Sequence, residues 1–497
     1  MKPGHRLLSG TAWNLAGQVL PLAVALVCIP WLIRLVGLER FGFIALAWVL
    51  IGYASLFDLG IGRAVIRTVS SRLARDDAAG AADSARTGLT FLLLFGLLMG
   101  AAAALLAPWL VQRALRVPPA LEAEALQALW LLALSLPFVM LTSGYAGVLT
   151  AHQDFKSLNL IRATFSMLSY ALPLAVALAG GVDLPVVVAT ILALRVVGTW
   201  AFAASCRRRF GFRWWPAWPQ REFTRELLAL GGWMSVSNLI GPLLTYLDRL
   251  LIATLVPLRA VGIYSAPYDL ASRIMVVPYA VVAAYFPRAT ALVPRSPQAG
   301  AALSDINRYL FLTSLPMMFM AMALAQPAMG AWLGPEIGPQ AAAVLQILIV
   351  GMFLNALTQG PATLIQAAGR PRDMAMLHAV ELPLFLLLLW ALTSRWGILG
   401  TAAAATLRFT LDAAAIFVLA RRSLVAGPWP WWRAAVPAAV AGALFAMAQP
   451  CRSWGAALAV VLIGGLLFVA YGWQAMLLPA ERLRLRHLWR QRTSPPP

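Results

Sequence analysis

The chain has 497 residues, of which 61% are hydrophobic and only 12% are charged, whereas soluble domains usually carry about 25% charged residues. This composition excludes an ordinary soluble protein. The formal net charge is +20, but the basic residues lie in short loops beside apolar stretches, which argues against nucleic-acid binding and indicates contact with membrane lipids.

About fourteen apolar stretches of roughly 20 residues follow one another along the chain, each long enough to cross a bilayer. Most of the 39 Lys and Arg fall in the N-terminus, in every second loop and in the C-terminus. The positive-inside rule therefore predicts an all-α, multi-pass protein of an inner-type (plasma) membrane with both termini in the cytoplasm. The predicted spans are 12–36, 41–61, 87–110, 126–150, 158–180, 184–205, 227–256, 260–287, 309–332, 341–367, 374–394, 397–420, 434–449 and 455–478.

A basic, tryptophan-containing segment from Arg207 to Glu226 separates six spans from eight. We predict an N-lobe at 1–206, a basic cytoplasmic linker at 207–226, a C-lobe at 227–422, and spans thirteen and fourteen with a basic cytoplasmic tail at 423–497. No gap between spans is large enough for a soluble domain.

The two halves of the chain contain an internal repeat. One shift of the sequence places Trp13 on Trp233, Leu38 on Leu258 and Gly42 on Gly262, and a slightly different shift places Leu194 and Arg195 on Leu407 and Arg408. A tandem repeat of six spans predicts two pseudo-symmetric six-helix lobes around a central cavity, followed by two C-terminal helices. Chance similarity among Leu- and Ala-rich helices is the alternative.

Two stretches carry a resemblance to a known family: RFGFIALAWVLIGYASLFDLGIGRAVIR (Arg40–Arg67) and LLTYLDRLLIATLVPLRAVGIYSAPYDL (Leu243–Leu270). They resemble bacterial polysaccharide flippases, of the O-antigen and exopolysaccharide type, in the multidrug/oligosaccharidyl-lipid/polysaccharide exporter superfamily. The resemblance implies a lipid-pyrophosphate-linked oligosaccharide as cargo and translocation to the outer face by alternating access. It also implies a groove for the lipid tail near the last two spans.

A pyrophosphate headgroup would need several cationic donors, and arginine is suited to this because its planar fork donates two hydrogen bonds at once. Ionisable groups inside spans are costly and should face a cavity or a partner. The predicted headgroup-binding residues are Arg34, Arg63, Arg249 and Arg273.

A coupling ion would require a group that changes charge or binds a cation, and the predicted candidates are Asp58, Asp269 and Glu381. Asp269–Arg273 and Arg408–Asp412 are spaced one helical turn apart, so the alternative role of these groups is mutual neutralisation. His378 shares a helix face with Glu381 and could titrate near neutral pH.

The sequence contains no P-loop, zinc-type spacing or nucleophile elbow, and we expect no cofactor, no metal and no catalytic residue. The alternatives are a drug or cation antiporter of the same superfamily and a multi-pass polysaccharide polymerase or glycosyltransferase. The expected partners are the lipid-linked oligosaccharide, membrane lipids, and a polysaccharide polymerase with other assembly proteins.

Overall fold

The computed structural model describes residues 3–56, 58, 60–211, 244, 247–290, 296–424, 435–479 and 481–483, and within these ranges it contains helices and no strand. A further helical segment covers 247–255. The labelled helices are α1 Pro3–Val36, α2 Leu38–Leu56, α3 Ile61–Leu73, α4 Ala78–Trp109, α5 Glu122–Ala151, α6 Phe155–Leu178, α7 Leu184–Phe210, α8 Arg259–Ile274, α9 Val276–Thr290, α10 Pro297–Leu333, α11 Gly338–Ala367, α12 Pro371–Leu424, α13 Ala435–Ala448 and α14 Trp454–Tyr471.

Eight helices in the described part of the chain are long and apolar enough to cross a membrane. Many of their large apolar side chains point away from the protein, for example Leu105 at 82% exposure and Leu466 at 71%, as expected where lipid replaces water. The all-α, multi-pass class is therefore confirmed. The count of about fourteen spans stays a prediction, because residues 227–243 of the seventh span lie outside the described residues.

The second predicted span, at 41–61, does not end where the sequence suggested. Helix α2 ends at Leu56, and a separate helix, α3, begins at Ile61. Helix α3 covers residues that we assigned to a cytoplasmic loop. Gly60 makes the turn with φ of 73°, a backbone conformation that side chains disfavour. Asp58 then accepts hydrogen bonds from the backbone N–H groups of Gly60 and Gly62, both at 3.0 Å, and so caps the start of α3.

Two other helices are interrupted. α12 covers predicted spans eleven and twelve, and Gly397 between them has a non-helical backbone with φ of 56° and ψ of −135°. A turn at Met275 separates α8 from α9 within predicted span eight.

The chain divides into two compact units: unit 1 comprises residues 1–265 and 393–398, and unit 2 comprises 266–392 and 399–497. The core of unit 1 includes Leu89, Leu92, Met140 and Leu149, none of which has measurable exposure. The core of unit 2 includes Ile306, Leu310 and Ile365. The predicted linker begins at the end of α7, but its residues 212–226 lie outside the described residues, and the predicted domain limits stay predictions.

Residues that the internal repeat pairs in sequence also meet in space within unit 1. A Cβ added to Gly42 would collide with the backbone oxygen of Leu258. A Cβ added to Gly262 would lie 3.3 Å from Leu38 and 3.4 Å from the backbone nitrogen of Gly42. The contact is reciprocal, as expected where a pseudo-two-fold axis relates two copies of one motif.

Candidate functional site

Unit 1 contains a cavity of about 520 Å³ that we call the arginine cavity. Its walls come from α3, α5, α6 and α7, and Asp58, three residues before the start of α3, also lines it. The charged residues in its lining are Asp58, Arg63, Arg162 and Arg195. By the predicted orientation, the cavity lies in the cytoplasmic half of the membrane.

Asp58, the one carboxylate among the described lining residues of the arginine cavity, accepts hydrogen bonds from neighbouring protein groups. Besides the two backbone N–H groups at the start of α3, the hydroxyl of Ser143 on α5 donates to Asp58 Oδ2 at 2.8 Å. The Asp58 side chain is 8% exposed. These three hydrogen bonds join α3 to α5, which favours a structural role for this carboxylate.

The three guanidinium groups of the cavity have no ion-pair partner among the described residues. Arg195 lies near the middle of α7, and its Nε is buried without a hydrogen-bond partner in the described structure. Arg63 lies at the start of α3, and Arg162 lies two turns into α6. A charged side chain at membrane depth costs roughly 2.5–3.5 kcal/mol on insertion scales. The arrangement therefore leaves three cations facing a cavity that a multivalent anion can enter.

Unit 2 contains a second group of ionisable residues, His378, Glu381, Arg408 and Asp412, which we call the His378 cluster. Glu381 lies 3.0 Å from Nδ1 of His378 and accepts a hydrogen bond from Arg408 at 3.4 Å. The side-chain ligand atoms of His378, Glu381 and Asp412 all lie within 4.8 Å of one another. The cluster could hold a proton or a small cation near a fixed arginine charge.

Mutual neutralisation of Arg408 and Asp412 stays a prediction, to which the structure adds a second carboxylate. Arg408 pairs with Glu381, from the helical stretch before Gly397, and its guanidinium carbon lies 4.3 Å from the ring centroid of Phe409. Asp412 is 8% exposed, and its Oδ1 has no hydrogen-bond partner among the described residues. The one-turn spacing of Arg408 and Asp412 relates residues on one helix only. It could not predict that Glu381, from the preceding helical stretch, pairs with Arg408.

Three of the predicted headgroup residues belong to unit 1 and one belongs to unit 2. Arg63 lines the arginine cavity. Arg34 is exposed at the end of α1, 5.8 Å from the ring centroid of Trp31, as expected of an interface anchor. Arg249 is 4% exposed and follows Asp248, which accepts a hydrogen bond from Tyr264 at 2.7 Å. Arg273 belongs to unit 2, on α8 with the predicted coupling residue Asp269.

Sequence reasoning did not select Arg162 and did not assign a role to Arg195. Arg162 was within a predicted span, only a few residues from its cytoplasmic end, where an anchoring role is the usual interpretation. The one available signal was that Arg162 and Arg195 each interrupt a predicted span and Arg63 closely follows one, all within the same predicted lobe.

Outside the spans, Glu481 carries the clearest electrostatic perturbation. It accepts hydrogen bonds from Arg308 at 2.6 and 3.0 Å and from Tyr309 at 2.6 Å, both on α10. Burial raises the pKa of this carboxyl, but the hydrogen bonds from Tyr309 and Arg308 outweigh it and lower the pKa to about 2. The segment after α14 is thus held to α10 at neutral pH.

The fold and the two polar sites define a multi-pass, all-α membrane protein with ionisable groups gathered between its helices. Residues 7–293, more than half of the chain, match the family described as "Polysaccharide biosynthesis protein". The chain belongs to this family.

A similar curated protein comes from Shigella flexneri and carries the provisional name of O-antigen transporter. It is 28% identical over 410 residues, which cover 82% of this chain and 96% of that protein.

Two solved structures share the fold. The lipid II flippase MurJ, in an inward closed conformation, matches with a TM-score of 0.70 at 12% identity, over 94% of this chain and 98% of that one. A multidrug resistance MATE family transporter of the MOP superfamily, in an inward-facing conformation, matches with a TM-score of 0.65 at 15% identity. That match covers 82% of this chain and 97% of the transporter. Both likenesses show the fold, which agrees with the fold that the sequence resemblance implies.

Proposed function

We propose that this protein moves a lipid-pyrophosphate-linked oligosaccharide from the cytoplasmic to the outer face of the bacterial plasma membrane, for polysaccharide biosynthesis. The observation that carries the proposal is a cavity lined by three arginines, none with an ion-pair partner among the described residues, in a membrane protein of a polysaccharide biosynthesis family. The names of the Shigella flexneri relative and of the lipid II flippase, which shares the fold, agree with such a cargo.

In this proposal the oligosaccharide headgroup enters the protein while the lipid tail stays in or near the bilayer. The two lobes alternate between inward-open and outward-open states, and both termini are cytoplasmic. Of the four predicted headgroup residues, Arg63 is the best supported because it lines the arginine cavity. We further propose that Arg249 and Arg273 bind the headgroup at other stages of the transport cycle and that Arg34 contacts lipid phosphate.

Among the three predicted coupling carboxylates, we favour Glu381. Asp58 is engaged as a helix cap, whereas Glu381 shares its surroundings with the titratable groups His378 and Asp412 and with Arg408. An ion that binds at the His378 cluster would change the charge of unit 2 during the cycle. We expect Glu381→Gln to abolish the dependence of transport on an imposed proton or sodium gradient. Retained dependence would contradict the assignment.

A transport function without covalent chemistry fits the chain better than the two alternative classes. A cationic drug favours an acidic or aromatic cavity, whereas three of the four charges in the arginine cavity are positive. A polymerase or glycosyltransferase would require catalytic groups in sizeable outer loops, and the longest predicted outer loop, between spans three and four, is short.

The direct test in the cell is depletion of the protein followed by mass spectrometry of lipid-linked glycans with an assay of their membrane sidedness. We expect complete repeat units to accumulate on the cytoplasmic face. Complete but unjoined units outside would indicate a polymerase, truncated units would indicate a glycosyltransferase, and an unchanged lipid pool would contradict this cargo.

A further inference from the structure

A second cavity of unit 1, of about 370 Å³, lies along the last turns of α7, and we call it the α7 pocket. Its described lining residues are Trp200, Ala203, Ala204, Arg207 and Arg208. These positions recur at intervals of three and four residues, so they share one face of the helix. Among the described residues, none lines both this pocket and the arginine cavity. By the predicted orientation, the pocket lies at the cytoplasmic surface of the membrane.

The two arginines of the α7 pocket differ from the arginine that follows them. Arg209 forms an ion pair at 3.0 Å with Asp154, the residue before α6. Arg207 and Arg208 are exposed, and neither pairs with a carboxylate in the described part of the chain. The end of α7 therefore places two positive charges beside one cavity.

The other end of the α7 pocket is aromatic. Trp200 lies about two turns before the arginines and is 61% exposed. A rise of 1.5 Å per residue separates it from Arg207 by about 10 Å along the helix axis. Tryptophan and arginine in this order are typical of a helix end that passes from the acyl chains into the headgroup region. The small side chains of Ala203 and Ala204 leave the space between them open.

The second copy of the internal repeat closes the same helix face. The shift of the sequence that aligns α7 with α12 pairs Trp200 with Ala413 and Arg207 with Ala420. Ala413 is only 7% exposed, and Ala420 is fully buried in the core of unit 2. An open face that carries cations and an exposed aromatic ring is therefore a property of α7 itself and is not imposed by the repeated fold.

We infer that the α7 pocket binds one anionic phospholipid of the cytoplasmic leaflet, with its phosphate at Arg207 and Arg208 and an acyl chain beside Trp200. Guanidinium groups donate paired hydrogen bonds to phosphate oxygens, and basic pockets on the cytoplasmic side of membrane proteins bind anionic lipid headgroups. Two positive charges favour a lipid with a net negative charge over a zwitterionic lipid, whose own ammonium group competes for the phosphate.

The inference goes beyond the proposed function, because the bound lipid is not the cargo and the α7 pocket is separate from the arginine cavity. The predicted linker between the two lobes begins at Arg207. A lipid bound here anchors the start of that linker at the membrane surface.

The test is native mass spectrometry of the purified full-length protein in detergent, titrated with phosphatidylglycerol or with zwitterionic phosphatidylcholine. We expect the first phosphatidylglycerol to bind more tightly than later ones and more tightly than phosphatidylcholine. Each arginine near the membrane surface contributes about a 5-fold preference, so Arg207→Gln/Arg208→Gln should weaken the first binding step by about 25-fold. Binding of phosphatidylcholine should change little.

The chain supplies a matched control in Arg421→Gln/Arg422→Gln, because the repeat pairs these exposed residues with Arg208 and Arg209 at the equivalent end of α12. This variant removes the same charge from the same predicted side of the membrane and should leave the first binding step unchanged. Trp200→Ala introduces the residue of the second copy. It should weaken the binding of phosphatidylglycerol by about 3- to 10-fold without any change in charge, through loss of apolar contact.

Equal losses in the two double-arginine variants would overturn the site, because they would indicate a general effect of cytoplasmic charge. Equal affinity of the wild type for the two phospholipids would also overturn it. A dimer that the wild type forms and Arg207→Gln/Arg208→Gln loses would identify a second copy of the chain as the occupant. Tighter, Arg207-dependent binding of farnesyl diphosphate than of phosphatidylglycerol would assign the pocket to the cargo. Either of these last two outcomes would contradict the proposed ligand.

Discussion

Glu481 lies a few residues beyond the last long helix, and its contacts reach Arg308 and Tyr309 near the start of α10. Arg308 also donates to the backbone oxygen of Met476. The segment after α14 therefore returns to α10 through charged and backbone contacts. Because Glu481 has a lowered pKa, this attachment depends on pH in a definite direction.

Glu481→Gln should lower the apparent melting temperature at pH 7 by about 1–3 °C, because the variant loses charge-assisted hydrogen bonds from two partners. The folded-state pKa of about 2 lies below the ordinary value of 4.5. The stabilisation is therefore fully present above pH 4.5 and is lost as pH falls towards 2. Thermal unfolding at pH 7 and pH 3 should show a smaller difference between wild type and variant at pH 3. An equal difference at both pH values would contradict this account.

At the scale of helices, the reciprocal contact of Gly42 with Leu258 and of Gly262 with Leu38 brings the starts of α2 and α8 together. By the predicted topology both starts lie at the outer face of the membrane. Small residues permit this close approach of backbones, as is common between membrane helices.

Gly42→Ala should destabilise the protein, because its new methyl group would collide with a backbone oxygen that cannot move away by a side-chain rotation. Gly465→Ala is the matched control: the position is helical and has open space around an added Cβ. It should be neutral or stabilising by about 0.5–1 kcal/mol. The measurement is the melting temperature of each purified variant in one detergent. Equal effects of the two substitutions would contradict the contact.

The His378 cluster joins two helical stretches through a buried ion pair. Glu381→Gln alone should destabilise unit 2 by about 1–3 kcal/mol, because it removes the carboxylate that pairs with Arg408 and leaves Asp412 as the remaining described carboxylate of the cluster. The double variant Glu381→Gln/Arg408→Met should regain most of this loss, since both charges leave together. Thermal unfolding of the two variants beside the wild type tests the pair. A double variant as unstable as the single one would mean that the pair is not coupled.

Sequence patterns predicted the helices well where the length of an apolar stretch sets the limits of the helix. They predicted them poorly where the contacts of one side chain set those limits. The break between α2 and α3 depends on Asp58, whose carboxylate accepts hydrogen bonds from backbone N–H groups at the start of α3. Neither the length nor the hydropathy of an apolar stretch predicts such hydrogen bonds. The Arg408–Glu381 pair was missed because helical spacing relates residues on one helix only. Of the charged residues that line the arginine cavity, the sequence analysis selected Arg63 and Asp58. It did not select Arg162 and Arg195, which come from two further helices.

The whole molecule combines an apolar exterior, an internal repeat and an unequal distribution of charge between the two copies of the repeat. The repeat pairs Arg195 with Arg408, but within the described part of the chain Arg408 forms an ion pair, with Glu381, and Arg195 does not. A transporter whose halves differ in this way can bind an anionic cargo in one unit and respond to an ion in the other. Translocation of the cargo by this chain alone is the central claim.

The most direct test is translocation by the purified full-length protein in proteoliposomes that contain a lipid-linked oligosaccharide in both leaflets. An added, membrane-impermeant glycosidase reports the pool on the outer leaflet. We predict that the wild type makes the whole pool accessible, whereas vesicles with Arg195→Gln expose little more than protein-free vesicles do. Wild-type vesicles that expose only the outer-leaflet pool would contradict the account.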